Sequence, residues 1–264
     1  MASELSAHRS LHISSAEVTD IGDRSSNQDA QNSVQLDGLA CFVVSDGAGG
    51  HAGGEVASSI VVKAVIDSFL QELSFGARAL QFYVEHAIAR VAQAKIAEEP
   101  LNDMSATVAI LLIDMENRQA LWAHLGDTRV YQFRDGRVCR ITRDHSLVQQ
   151  FVDAGYCPAE ALRTHPQRSV LYAAVGTEGD THPEVTQEAV ELHGGDACLL
   201  CTDGFWERIT ESEMEQSLMA ASSVHDWLQQ MCEIIERNGG NSLKSRDNST
   251  AQALWFTDLN PTTI

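Results

Sequence analysis

"FVVSDGAGGHAGGE", residues 42–55, begins as a buried strand, closes on a carboxylate at Asp46 and continues into five glycines within eight residues. Backbone N–H groups in such a loop can cradle a phosphate, or the carboxylate can hold a metal ion. The phosphate reading has a partial motif: "GAGGHA" fits Gly-x-Gly-x-x-Ala, and Asp67 falls about twenty residues on, where a ribose-binding acid would stand. Its context fails. Asp67 lies inside a continuous helical pattern over 55–73 with no second strand before it, and Asp46 beside the glycines would repel a pyrophosphate. A Gly-Lys-Ser/Thr tripeptide, as in a P-loop, occurs nowhere in the chain.

The flanking pattern supports the other fold. Residues 12–20 and 33–37 alternate as short strands, and 39–45 is a continuous apolar run. Apolar residues then recur at helical spacing over 55–73 and 77–99, ending before Pro100. "ATVAILLID" (106–114), "QALWAHLGD" (119–127), "TRVYQFRDG" (128–136) and "RVCRIT" (137–142) follow with short turns, so these strands must be antiparallel, because a parallel crossover needs a dozen or more residues. A short helix is predicted over 145–155, an irregular polar flap over about 156–182, and strands over 184–192, 196–202 and 250–256. Helices over 211–220 and 224–238 fall between the last two strands. Paired helices around antiparallel strands predict an α+β layered domain.

At 264 residues with 44% hydrophobic content, the chain suits a single folded unit. No apolar run approaches the length of a membrane span and the N-terminal "MASELSAHRSLHISS" lacks the apolar centre of a secretory signal, so a cytoplasmic location is expected. Acidic residues outnumber basic ones 37 to 18, and the basic ones are scattered, which disfavours nucleic acid and anionic membrane as partners. Of six cysteines, the one close pair, Cys198 and Cys201, sits in a strand-like run where an offset of three turns the thiols to opposite faces; both read as small buried hydrophobes.

The metal reading gains from a second copy of its design. "LACFVVSDG" (39–47) and "DACLLCTDG" (196–204) are both apolar runs that close on Ser/Thr-Asp-Gly, which places Asp46 and Asp203 at the ends of buried strands. Rigidly aimed carboxylate oxygens suit a hard divalent cation.

"DIGDRSSNQDA" (20–30), "VVSDGAGGHAGGEVAS" (43–58), "DMSATVA" (103–109), "WAHLGDTRVYQFRDG" (122–136), "LLCTDGFWE" (199–207) and "RDNST" (246–250) together resemble, in order and context, the metal-dependent protein phosphatases of the type 2C (PPM) family, particularly its bacterial members. The match covers about residues 15–257. The resemblance implies a single catalytic domain over 1–264, a four-layer sandwich of two antiparallel β-sheets with paired helices packed outside. It implies two Mn²⁺ or Mg²⁺ ions: Asp46 would bridge both, the Gly47 carbonyl would bind one, and Asp203 and Asp247 would complete the other site. Asp29 would hold metal-bound waters, Asp103 would help hold a third, weaker ion, and Arg24 would grip the substrate phosphate.

The implied activity is hydrolysis of phosphoserine and phosphothreonine on proteins by in-line attack of a hydroxide bridging the two metals, with Arg24, Asp46 and Asp203 as the catalytic residues. Phosphorylated proteins would be its substrates, in opposition to a Ser/Thr kinase, with the enzyme acting as a monomer. The alternatives are a catalytically weak phosphoprotein-binding module and a hydrolase of small phosphate esters. Some positions depart from the family pattern. Ala48 stands where eukaryotic relatives carry a general-acid histidine, His51 reads as a loop-fixing residue and "SAT" (105–107) replaces the usual Gly-Thr-Thr, whereas Asp127, a recurrent feature of the family, reads as fixing a turn between strands.

Overall fold

A computed structural model of the chain describes residues 10–48, 53–97, 102–177, 182–239 and 245–259. In chain order its elements are β1 (Leu11–Asp20), β2 (Asp29–Leu36), β3 (Leu39–Ala48), α1 (Gly53–Gln71), α2 (Ala77–Ala97), β4 (Ser105–Ala106), β5 (Val108–Asp114), β6 (Gln119–Leu125), β7 (Arg129–Arg134) and β8 (Arg137–Ile141). There follow α3 (Leu147–Asp153), α4 (Ala161–Thr164), β9 (Glu184–Val185), β10 (Val190–Glu191), β11 (Ala197–Cys201), α5 (Asp203–Trp206), α6 (Glu211–Ala220), α7 (Val224–Gly239) and β12 (Ser249–Asp258).

The strands form two sheets, one ordered β1-β12-β11-β7-β8 and the other β10-β6-β5-β3-β2, with β4 against β3 and β9 against β6. The named strand pairs are antiparallel throughout, as the short turns require.

Why the sheets stack follows from strands that are apolar on both faces. In β3, Ala40, Phe42 and Val44 pack with Val130, Cys198, Leu200 and Leu254 of the facing sheet, while Cys41 and Val43 join α1 and α2. In β11, Cys198 and Leu200 face the other sheet, and Leu199 and Cys201 pack with Trp227 and Met231 of α7. The two cysteines thus lie in different apolar layers, both as free thiols. Helix α1 buries Ala57, Val61, Ala64, Val65 and Ser68, a stripe at helical spacing, and Asp67 lies on that helix in an exposed pair with Lys63. The result is helix, sheet, sheet, helix in four layers.

Three sequence expectations need correction. Strand β2 begins at Asp29 instead of residue 33, because hydrogen bonding to β3 extends to the pair Asp29–Asp46 whatever the polarity of the side chains. The stretch 184–192 forms only the two-residue strands β9 and β10, both paired with β6 and separated by a loop. The flap holds a short helix, α4, followed by the turn at His165–Val170. Residues 178–181 of that flap lie outside the described residues. Among the described residues no helix is long and apolar enough to cross a membrane.

Trp227 fastens the outer helical layer: it is fully buried, meets Phe133 edge-on at 5.2 Å and donates its indole N–H to the Met214 carbonyl at 3.3 Å. Trp227→Ala should lower the unfolding free energy by about 3–5 kcal/mol in urea titrations followed by circular dichroism. A loss below about 1 kcal/mol would show that α7 is held elsewhere.

Candidate active site

Each sheet delivers carboxylates to one end of the sandwich. From the seven-stranded sheet come Asp29, the opening residue of β2, and Asp46, its register partner near the end of β3. From the five-stranded sheet come Asp203, which opens α5 just after β11, and Asp247, just before β12. Asp46, Gly47, Asp203 and Asp247 line a cleft of about 360 Å³ together with Arg24 and Asp127. Asp29 stands behind it. The Thr202 hydroxyl donates to Asp29 Oδ2 at 2.9 Å and accepts the Thr250 N–H at 3.0 Å, so one threonine ties the two sheets together beneath the site. The Asp46 N–H donates to Thr107 Oγ1 at 2.9 Å, and that hydroxyl meets Thr128 Oγ1 at 2.5 Å.

The glycines after the two aspartates permit backbones to meet. A Cβ on Gly47 would lie 2.0 Å from the Gly54 carbonyl oxygen, and one on Gly204 would lie 1.9 Å from that of Asn248. Both are far inside van der Waals contact, so Ser/Thr-Asp-Gly marks a crossing of chains at each carboxylate as well as a strand end. The Gly47 carbonyl itself packs against the start of α1, where a Cβ on Gly54 would come within 2.7 Å of it.

The electrostatics are those of crowded acids. Burial pushes the Asp46 carboxyl well above the usual carboxylate range, and the charges of Asp29, Asp203, Asp127 and Asp247 push it further. Burial, then Asp247, raises Asp203 to about 6, against a hydrogen bond shared with Asp46. Asp29 rises to about 7 through burial, although hydrogen bonds from the Thr250 and Thr202 side opposes the shift. Asp203 Oδ1 and Asp29 Oδ1 are buried without a hydrogen-bond partner. Hard oxygen donors that repel one another, with unsatisfied atoms among them, fit divalent cations.

Arg24 is the cation that the cleft itself contains. It lies in the 21–28 loop, which Asn248 holds by accepting from the Gln28 N–H at 2.9 Å and donating to the carbonyls of Ile21 at 2.9 Å and Ser26 at 3.0 Å. Its Nη2 donates to Asp247 Oδ2 at 2.6 Å, with the arginine side chain 55% and the aspartate 42% exposed. Arg24 is therefore held in a surface salt bridge in this arrangement, with one of the expected metal ligands as partner. A pair so exposed is worth little and exchanges readily.

The remaining expected residues separate. Asp103 lies in an exposed turn just before β4, which pairs with Gly47 and Ala48, and so stands at the rim; it does not line the cleft. Ser105 and Ala48 do line it. His51 lies outside the described residues. Asp127 is more than a turn residue: it is buried, lines the cleft, and burial followed by the charge of Asp203 raises its carboxyl well above the ordinary range. Reading the motifs also missed Thr202, Thr107 and Asn248, each a short polar residue adjacent in sequence to a quoted aspartate or strand.

Outside the cleft, His124, His145 and Glu184 form a group of potential ligands whose atoms lie within 4.8 Å of one another. The imidazoles stack with centroids 4.8 Å apart and planes 7° from parallel, so their in-plane lone pairs run side by side instead of converging. His124 Nε2 is engaged with the Arg143 carbonyl at 2.7 Å. This stack supports the base of the flap, since the Gly126 N–H donates to His145 Nδ1 at 3.1 Å and the Tyr172 N–H to the His145 carbonyl at 3.0 Å.

The protein phosphatase 2C family model matches residues 19–246. Serine/threonine protein phosphatase PstP of Mycobacterium tuberculosis is 34% identical over 215 residues, 77% of this chain and 38% of PstP, so the chain spans well under half of that relative's length. Protein phosphatase PhpP of Streptococcus pneumoniae is 29% identical over 229 residues, 84% of this chain and 91% of PhpP. The crystal structure of the catalytic domain of PstP in complex with two manganese ions superposes with a TM-score of 0.78 at 27% identity, covering 94% of this chain and 100% of that one.

The raised carboxyl groups set a pH dependence. Asp203 protonates at about 6 in the folded chain against 3.8 for an unperturbed carboxyl, so folding binds protons between these values and stability is lost as pH rises through about 6. In chelator, Asp203→Asn should therefore be more stable than the wild type at pH 7.5, with the advantage shrinking by pH 5. Taking this difference cancels the opposite contribution of His124 and His145, whose pKa values burial lowers. Urea unfolding of both proteins across that range makes the comparison; a variant less stable throughout would contradict it.

Proposed function

This chain belongs to the protein phosphatase 2C family, and on that premise we propose that it hydrolyses phosphoserine and phosphothreonine on proteins phosphorylated by a Ser/Thr kinase. The observation that carries the reading is the convergence of Asp46, Asp203, Asp247 and Arg24 on one cleft from both sheets. Asp46, the Gly47 carbonyl, Asp203 and Asp247 would hold two Mn²⁺ or Mg²⁺ ions, in keeping with the two manganese ions of the PstP catalytic domain. When bound, such ions supply Lewis acidity at the phosphoryl oxygens and a hydroxide nucleophile near neutral pH.

The chain's own residues do the rest. Thr202 fixes Asp29 behind the ligands, and Asn248 fixes the loop that presents Arg24. With Asp247 engaged by a cation, the Arg24 guanidinium would be free to grip two phosphate oxygens and to offset the charge growing on them. Asp127 and Thr107 wall the cleft from the side of the seven-stranded sheet and its exit loop. The side chain of Ala48 offers no proton to the leaving group. A third, weaker ion at Asp103 would sit at the rim, where the β4 pairing brings that turn next to Ala48.

Turnover of a phosphothreonine peptide should require Mn²⁺ or Mg²⁺ and vanish with chelator; full activity in metal-free protein would overturn the reading. Arg24→Ala should lower kcat/KM at least about tenfold, the loss of one charge-assisted bond. Its Mn²⁺ affinity, measured by titration calorimetry, should stay at or above the wild-type level, because Asp247 loses a competing partner. Asp203→Asn should instead lose the metal and the turnover together.

A further inference from the structure

We propose that an arginine-walled groove beside the aspartate cleft, anchored by Arg208, binds an anionic side chain of the substrate a few residues from the phosphorylated serine or threonine. The proposal rests on the phosphatase reading and adds to it a substrate preference.

The chain carries a formal charge of −19, yet Arg24, Arg163, Arg168 and Arg208 line a single groove of about 430 Å³ against the acids Glu207 and Asp247. This groove shares Arg24 and Asp247 with the aspartate cleft, so a peptide with its phosphate at the first enters the second. Three of the four guanidinium groups are held by carboxylates. Arg24 pairs with Asp247, Arg163 Nη2 lies 2.7 Å from Glu211 Oε1, and Arg168 Nε lies 2.6 Å from Glu207 Oε1.

Arg208 differs. Its hydrogen bond is to the Ser245 carbonyl at 3.3 Å, and among the described residues it has no carboxylate within 4.0 Å. Its guanidinium lies beside Gly239, where a Cβ would come 2.8 Å from Nη1 and 3.7 Å from Arg246 Cδ, so a second arginine stands close by. Arg246 is itself held by Asp23. A half-buried guanidinium beside other arginines, in no ion pair among the described residues and with the shared charge of Asp23 acting on it from further off, is a site for an anion supplied from outside.

The spacing suits a peptide. Arg208 follows Asp203 by five residues, lying past the end of the four-residue helix α5, which puts their backbones roughly 8–12 Å apart. An extended chain advances about 3.3 Å per residue, so with side-chain reach the matching anion lies roughly two to four residues from the phosphorylated position. Glutamate, aspartate or a second phosphorylated residue would each present the required charge. Because the rest of the surface is acidic, the preference is local to this groove and weakened by salt.

The test is a set of phosphothreonine peptides, otherwise neutral, with one glutamate, one phosphoserine or one lysine placed in turn at each position up to four residues either side. Wild-type kcat/KM should rise about five- to tenfold for an anion at one favoured position, chiefly through KM, and the gain should shrink at high salt. Arg208→Gln should lose that gain while hydrolysing a small aryl phosphate at the wild-type rate with the same Mn²⁺ dependence. Arg208→Lys should restore part of it, which separates a charge contact from a folding defect. Wild-type turnover with no positional preference for an anion, or a preference intact in Arg208→Gln, would overturn the proposal and leave the phosphatase reading standing. Failure of the wild type to hydrolyse any peptide or aryl phosphate would overturn both.

Discussion

Mutual repulsion among buried carboxylates is the constraint around which this molecule is arranged. Asp46, Asp203, Asp127 and Asp29 are all pushed toward the protonated form by burial and by one another. Such a group of acids does not stabilise a fold; apolar packing elsewhere must hold it together. Two sheets with three separate apolar layers supply that packing, and each sheet contributes acids that the other opposes. The bond from Thr202 to Asp29 is then a direct polar tie across the sandwich at the place where repulsion would part it.

A second network carries the site outward to the flap. Arg129 is buried and makes two parallel 2.7 Å bonds to Asp144, a third to the Tyr131 hydroxyl at 2.9 Å, and stacks on Trp206 with its guanidinium carbon 3.4 Å from the ring. The Trp206 indole N–H in turn donates to the Asp127 carbonyl at 2.9 Å. A buried ion pair is tolerated when its remaining donors are satisfied, and here each link leads to the next. Asp144 opens the segment that leads into the flap, Asp127 lines the cleft, and Trp206 ends the short helix that Asp203 begins. Flap base and cleft wall are therefore joined by one continuous chain of polar and stacking contacts.

The layered fold was legible because its central strands are apolar on both faces, which "LACFVVS" and "ACLLC" state outright. The repeated Ser/Thr-Asp-Gly likewise pointed to Asp46 and Asp203, and both line the cleft. Less legible was anything decided by partners distant in sequence. Strand β2 is a mostly polar edge strand whose start depends on β3, so "DAQNS" carries no alternation to read. Asp127 looks like a turn residue until the Asp203 charge beside it is known. Arg24 and Asp247 stand 223 positions apart, and no local pattern announces that they touch.

The strand order has a consequence for how the protein comes into being. Strands β2, β3, β5 and β6 of the seven-stranded sheet are neighbours drawn from residues 29–125, so that half can close while synthesis continues. The other half cannot. Its β12, residues 249–258, fits between β1 and β11, and β1 emerges from the ribosome more than two hundred residues earlier. Until β12 arrives, β1 has no partner and Asp247 no place, so the acids of the two halves meet only late. The apolar packing around α1 and α2 can thus form before β12 completes the remaining layers and brings the acids of the two halves together.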